Sequence, residues 1–115
     1  MSFFFSTEYV NPLTVVPASE IGFTGNRTTF QCHYRDGAQE EVTWQKKGGL
    51  LPSGRHFTDN GALTITDIEL QDEGTYVCKV NAGGRELTVE AFLDVHCKYF
   101  KTCYMFIRSC EQQVL

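Results

Sequence analysis

No stretch of this chain is apolar over the ~20 residues that a helix needs to cross a bilayer. Nor is there an excess of positive charge. Ten Lys and Arg stand against fourteen Asp and Glu, for a formal net charge of −4. A nucleic-acid footprint requires clustered basic residues, so neither nucleic acid nor an anionic membrane surface is an expected partner. The chain has no Gly-rich phosphate loop, no His-Glu-x-x-His pair and no nucleophile elbow. No catalytic residue, bound metal or cofactor is therefore expected. The opening residues MSFFFSTEYV hold three phenylalanines but no basic n-region, and their apolar run is too short for a signal peptide. No long helical period appears before residue 96, which argues against a helical bundle.

What is present is period-two alternation. Thr28, Phe30, Cys32 and Tyr34 share one face of RTTFQCHY, and Val42 and Trp44 share one face of EVTWQKK. Leu63 and Ile65 point inward in ALTITDI, as do Tyr76, Cys78 and Val80 in TYVCKV. Leu87, Val89, Ala91, Leu93 and Val95 continue the pattern in ELTVEAFLDV. Such alternation marks antiparallel strands buried on one side. The connectors agree. Asn60-Gly61 is a hairpin signal, because a type I′ turn needs positive φ at both central residues. NAGG at 81–84 reads as a second tight turn, and KKGGLLPSG breaks structure between strands. Many short strands with regular turns predict an all-β sandwich or barrel. The length of 115 residues allows one domain, expected over 13–95, with an N-terminal extension at 1–12 and a Cys-containing tail at 96–115.

Two cysteines, Cys32 and Cys78, fall on inward faces, with the only tryptophan, Trp44, between them. With DEGTYVC at 72–78 and the LTI of Leu63–Ile65, this order resembles an immunoglobulin domain. The resemblance implies a two-sheet antiparallel sandwich. It also implies a disulfide between Cys32 and Cys78, closing a span of 46 residues for about 4 kcal/mol in the chain-entropy model. Trp44 would pack against that bridge. Tyr76 would form a tyrosine corner, Gly74 would let the backbone turn into its strand, and Asp72 would pair with a basic residue, for which Arg55 is the candidate. Only 18 residues separate Trp44 from Leu63, so at most a short extra strand fits there and the domain resembles the intermediate (I-set) type. VTWQKKGGLLPSGR followed by GALTITDIELQDEGTYVCKV is similar to the repeats of perlecan-like matrix proteoglycans and related adhesion proteins.

That family binds through sheet faces or end loops, which makes an extracellular binding or spacing module the expected function, with a protein or glycan partner. The expected contact surface is the outward face carrying Thr43, Gln45, Lys47, Thr75, Val77, Lys79, Glu86, Thr88, Glu90 and Phe92. Asn26 begins the sequon Asn-Arg-Thr and is the candidate glycosylation site. An intracellular structural domain of the muscle-filament type is the alternative, with Cys32 and Cys78 as buried thiols. His33, His56 and His96 read as surface residues. In the tail, the x5 and x6 spacings of Cys97, Cys103 and Cys110 do not match a structural zinc site. Two of these three cysteines can pair, and the apolar period of Tyr99, Phe100, Cys103, Tyr104 and Ile107 reads as one face of a helix, in a tail expected to be helical or disordered.

Overall fold

A computed structural model of the chain describes residues 11–38 and 41–98. Two four-stranded sheets face each other. One has the order β1 (Leu13–Val16), β3 (Thr28–Tyr34), β6 (Ala62–Ile65), β5 (His56–Asp59). The other has the order β2 (Ser19–Phe23), β8 (Arg85–His96), β7 (Gly74–Ala82), β4 (Thr43–Lys46). A 3-10 turn at Leu70–Asp72 leads into β7. No helix among the described residues is long and apolar enough to cross a membrane.

The alternation in the sequence becomes the sandwich interior. β3 is buried at every second residue from Thr28 to Tyr34. Phe30, Cys32, Leu63, Ile65, Tyr76, Cys78 and Leu93 are all fully enclosed, and Leu13, Ile68, Ala91 and Val95 nearly so. Thr64 is buried between inward neighbours because its cross-strand partners Thr29 and Phe57 flank it on the outer face, and its hydroxyl is satisfied by Thr29 Oγ1 at 2.9 Å. The β5–β6 hairpin turns at Asn60-Gly61, with φ of 52° and 86°, and pairs Asp59 with Ala62. The β7–β8 hairpin turns at Gly83-Gly84 and pairs Ala82 with Arg85.

One pairing departs from the antiparallel pattern. β2 runs parallel to β8, with Ser19 opposite Phe92 and Phe23 opposite His96. The chain leaves the first sheet after Val16. Pro17 follows through a cis peptide and has no N–H to extend the β1–β3 ladder, so the next residues join the other sheet. The Ala18 carbonyl accepts from the Phe92 amide at 2.9 Å and starts the new pairing. Between β4 and β5 no extra strand forms among the described residues. β8 continues to His96, one residue past the expected edge of the domain. The Lys98 amide then donates to Thr24 Oγ1 at 3.1 Å. The helical expectation for the tail and the first ten residues of the N-terminal extension lie outside the described residues.

Candidate functional site

The sandwich is pinned through its centre. Cys32 on β3 and Cys78 on β7 form a disulfide between the two sheets, with Cα atoms 6.5 Å apart. Trp44 sits opposite Cys78 in the β4–β7 register, so both side chains point to the same interior face. Its ring lies 6.3 Å from that of Phe30, which in turn stacks on Tyr76 at 6.1 Å. The indole N–H crosses to the opposite sheet and donates to the Gly61 carbonyl at 3.1 Å. This satisfies the one polar atom that an indole brings into a core.

Below this centre lies a polar corner. The Tyr76 hydroxyl donates to the Asp72 carbonyl, four residues upstream. The Asp72 carboxylate, only 2% exposed, takes the Arg55 guanidinium in a two-pronged pair at 2.8 and 2.9 Å. One of its oxygens also accepts the Glu69 amide at 2.8 Å, which closes the 3-10 turn in a capping box. Arg55 further donates to the carbonyls of Thr66 at 3.2 Å and Asp67 at 2.9 Å. The hydrogen bond to Asp72 raises the Arg55 pKa from its ordinary value, and burial raises that of Tyr76, with Asp72 adding to the effect. Gly74 adopts φ 149°, and a Cβ there would lie 3.1 Å from Lys46 Cε. Lys46 in turn reaches over the Tyr76 ring and donates to the Gln71 carbonyl. With these three hydrogen bonds the Asp72 carboxylate ties the Arg55 side chain to the 3-10 turn.

The outward face of β4, β7 and β8 presents the residues singled out for contact in three rungs. Thr43, Lys79 and Thr88 form one, and Gln45, Val77 and Glu90 the next. Thr75 and Phe92 form the third, with Lys47 alongside through its amide bond to the Thr75 carbonyl. Lys47 pairs with Glu90 at 3.3 Å and Lys79 with Glu86 at 3.2 Å. Phe92 is 43% exposed in the midst of this polar surface. The sequence reading missed two apolar neighbours on the same face. Ile21, at 56%, and Phe23, at 41%, lie beside Asp94 and His96. Only the sheet switch of β2 brings them there, and no local sequence signal announces it.

The remaining candidates lie apart from one another. Asn26 is exposed in the β2–β3 turn, where its Oδ1 accepts from Lys98 Nζ at 2.9 Å. His33 is exposed, His56 Nδ1 donates to the Pro52 carbonyl at 2.6 Å, and His96 Nε2 lies 3.1 Å from Asp94. Cys97 is disulfide-bonded, so its sulfur is not available as a metal ligand. Its partner lies outside the described residues, as do Cys103 and Cys110. Among the described residues no group of three or more His, Cys, Asp or Glu comes together to hold a metal.

This frame of paired sheets, a core bridge beside tryptophan and a tyrosine corner defines an immunoglobulin-type sandwich. A profile of the immunoglobulin domain family matches residues 12–81, and the chain belongs to that family. Over 86 residues it is 34% identical to the basement membrane proteoglycan of Caenorhabditis elegans, covering 72% of this chain and 2% of that protein. It is 33% identical over 91 residues to human Roundabout homolog 2, covering 70% of this chain and 7% of that protein. The chain thus spans a small fraction of the curated relatives it matches. The four N-terminal immunoglobulin domains of Dscam1 isoform 6.9 share its fold, with a TM-score of 0.59 at 21% identity over 73% of this chain and 20% of that one. A chimeric titin Z1Z2 matches with a TM-score of 0.55 at 24% identity, over 75% and 95% of the two chains.

Proposed function

We propose that this chain is a non-catalytic binding and spacing module of an extracellular matrix or cell-adhesion protein. The module spans residues 13–95, with flanking segments at 1–12 and 96–115. It engages a protein or glycan partner through the outward face of β4, β7 and β8. The observation that carries the reading is that face itself. An aromatic ring and Val77 lie on a flat surface rimmed by the Lys47–Glu90 and Lys79–Glu86 pairs, an arrangement of apolar anchor and polar rim that suits a protein contact. The inter-sheet disulfide supports an oxidising compartment. Relatives in matrix and surface proteins support the same setting.

The test is a pentamer of the chain, made behind a secretion signal and applied to basement-membrane sections and cultured cell surfaces. Phe92→Glu combined with Val77→Glu should reduce retention at least tenfold. A matched pair on the outward face of the opposite sheet, Thr14→Glu with His33→Glu, should leave it within twofold. The reverse pattern would move the contact to the other sheet. A folded protein in which Cys32 and Cys78 remain thiols would replace this reading with an intracellular structural domain.

A further inference from the structure

The β2–β3 connection holds more order than a bare link between strands requires. The Asn26 amide donates to the Phe23 carbonyl at 3.0 Å, closing a turn over Phe23–Thr24–Gly25–Asn26. Gly25 takes φ 85° at the third position, as a type II turn demands. The turn is fastened to the β6–β7 connection on both sides. The Gly25 amide donates to the Ile68 carbonyl at 2.8 Å, and the Ile68 amide donates to the Asn26 carbonyl at 3.0 Å. Asn26 is exposed, its Oδ1 is held by Lys98, and its Nδ2 has no partner among the described residues. A polar recess of about 480 Å³, lined by Gly25, Asn26, Arg27, Thr66 and Asp67, opens beside it. Phe23, the first residue of the turn, is exposed rather than tucked into the core.

We propose that Asn26 Nδ2 carries an N-linked glycan whose first N-acetylglucosamine packs its apolar ring face on Phe23. The inference rests on the extracellular reading, because the donor is met only in the secretory pathway. That donor is a lipid-diphosphate-linked oligosaccharide. Nδ2 forms the bond to C1 and loses one proton, the C1–O bond breaks, and the lipid diphosphate leaves. No oxidant or reductant is needed. The product remains an amide, so Oδ1 still accepts from Lys98 and the turn is undisturbed. The turn brings the first and fourth Cα atoms within ~7 Å, close enough for a sugar on Asn26 to reach the Phe23 ring. Thr28, which completes the sequon, is buried and paired with Ile65. Transfer therefore precedes closure of β3 onto β6. Phe23 meets the His96 ring edge-on at 6.0 Å and leaves 41% of its surface open, which is where the sugar packs.

The full chain behind a secretion signal provides the test, read by intact mass with and without N-glycosidase and reductant. Wild type and Thr28→Ser should carry the glycan, and Asn26→Gln should not. Gly83→Asn with Arg85→Thr builds a second sequon in the β7–β8 turn, where φ 59° suits asparagine, and reports access to the transfer machinery. Protein trimmed to a single N-acetylglucosamine should melt roughly 4–8 °C above protein made with transfer blocked, the shift expected from about one aromatic contact in a domain this size. In Phe23→Ala that increment should fall below about 2 °C. An unchanged increment would overturn the stacking. A secreted protein with Cys32–Cys78 formed, the engineered site occupied and Asn26 bare would overturn the glycan while leaving the extracellular reading intact. A folded protein with those two thiols free would overturn both.

Discussion

Removing the Asp72 carboxylate should be one of the costliest single polar changes in this domain. Asp72→Ala deletes three hydrogen bonds at once, the two-pronged contact with Arg55 and the acceptor for the Glu69 amide. Bonds to a charged partner contribute about 1.5–3 kcal/mol each. Two features lower the sum. Arg55 keeps the Thr66 and Asp67 carbonyls, so it is not orphaned, and its side chain is 20% exposed, so water recovers part of the loss. The Tyr76 bond survives, because it goes to the Asp72 backbone. The expected loss is therefore about 3 kcal/mol, at the low end for breaking a buried pair. Urea unfolding of the oxidised protein measures it, with an unchanged m-value as the condition for comparison. Arg55→Leu and the double variant complete a cycle in which the coupling should be at least about 1.5 kcal/mol. A loss under about 1 kcal/mol, or no coupling, would show that the corner is held by the backbone alone and that the charge pair is incidental.

Trp44→Ala should cost about 3–5 kcal/mol by urea unfolding, through cavity formation beside Phe30 and Cys78. The Gly61 carbonyl stays satisfied by the Cys32 amide, so a loss under about 1 kcal/mol would refute the tryptophan's place in the core. Tyr76→Phe should cost about 1 kcal/mol near neutral pH through the lost hydroxyl bond. It should also change the alkaline limb of stability. Burial raises the folded tyrosine's pKa above the ~10 of the unfolded chain. Above that pH the unfolded state releases a proton that the fold retains, so wild type loses about 1.4 kcal/mol per pH unit from this group. Unfolding midpoints between pH 8 and 11 should fall less steeply in Tyr76→Phe, and equal slopes would count against the buried hydroxyl.

Short-range chemistry made much of this fold readable in advance. A strand whose every second side chain is buried writes that period directly into sequence, as β3 does from Thr28 to Tyr34. A hairpin that needs two positive φ angles writes Asn60-Gly61. The β2 register was not legible, since its partner β8 lies some 70 residues away in sequence and Pro17 marks only a break, not a destination. The outward positions of Ile21 and Phe23 depend on that register, so two apolar residues of the candidate face stayed hidden. Thr64 was hidden for a similar reason. Strict alternation assigns it to solvent, whereas its cross-strand neighbours Thr29 and Phe57 flank it and Thr29 supplies a hydroxyl partner.

The residues that fix the fold and those of the proposed contact face occupy opposite sides of the same strands. On β7, Tyr76, Cys78 and Val80 face the core, while Thr75, Val77 and Lys79 face outward. The inward set is tied to the disulfide, the aromatic cluster and the Asp72 corner, so a change there costs stability. The outward set is joined by surface ion pairs, which contribute about 0–1 kcal/mol each, and by an exposed hydrogen bond from Thr43 to the Lys79 carbonyl. Substitution on the outward face can therefore alter what the domain contacts without altering how it folds. For the same reason the frame specifies the family while leaving the outward residues free to vary.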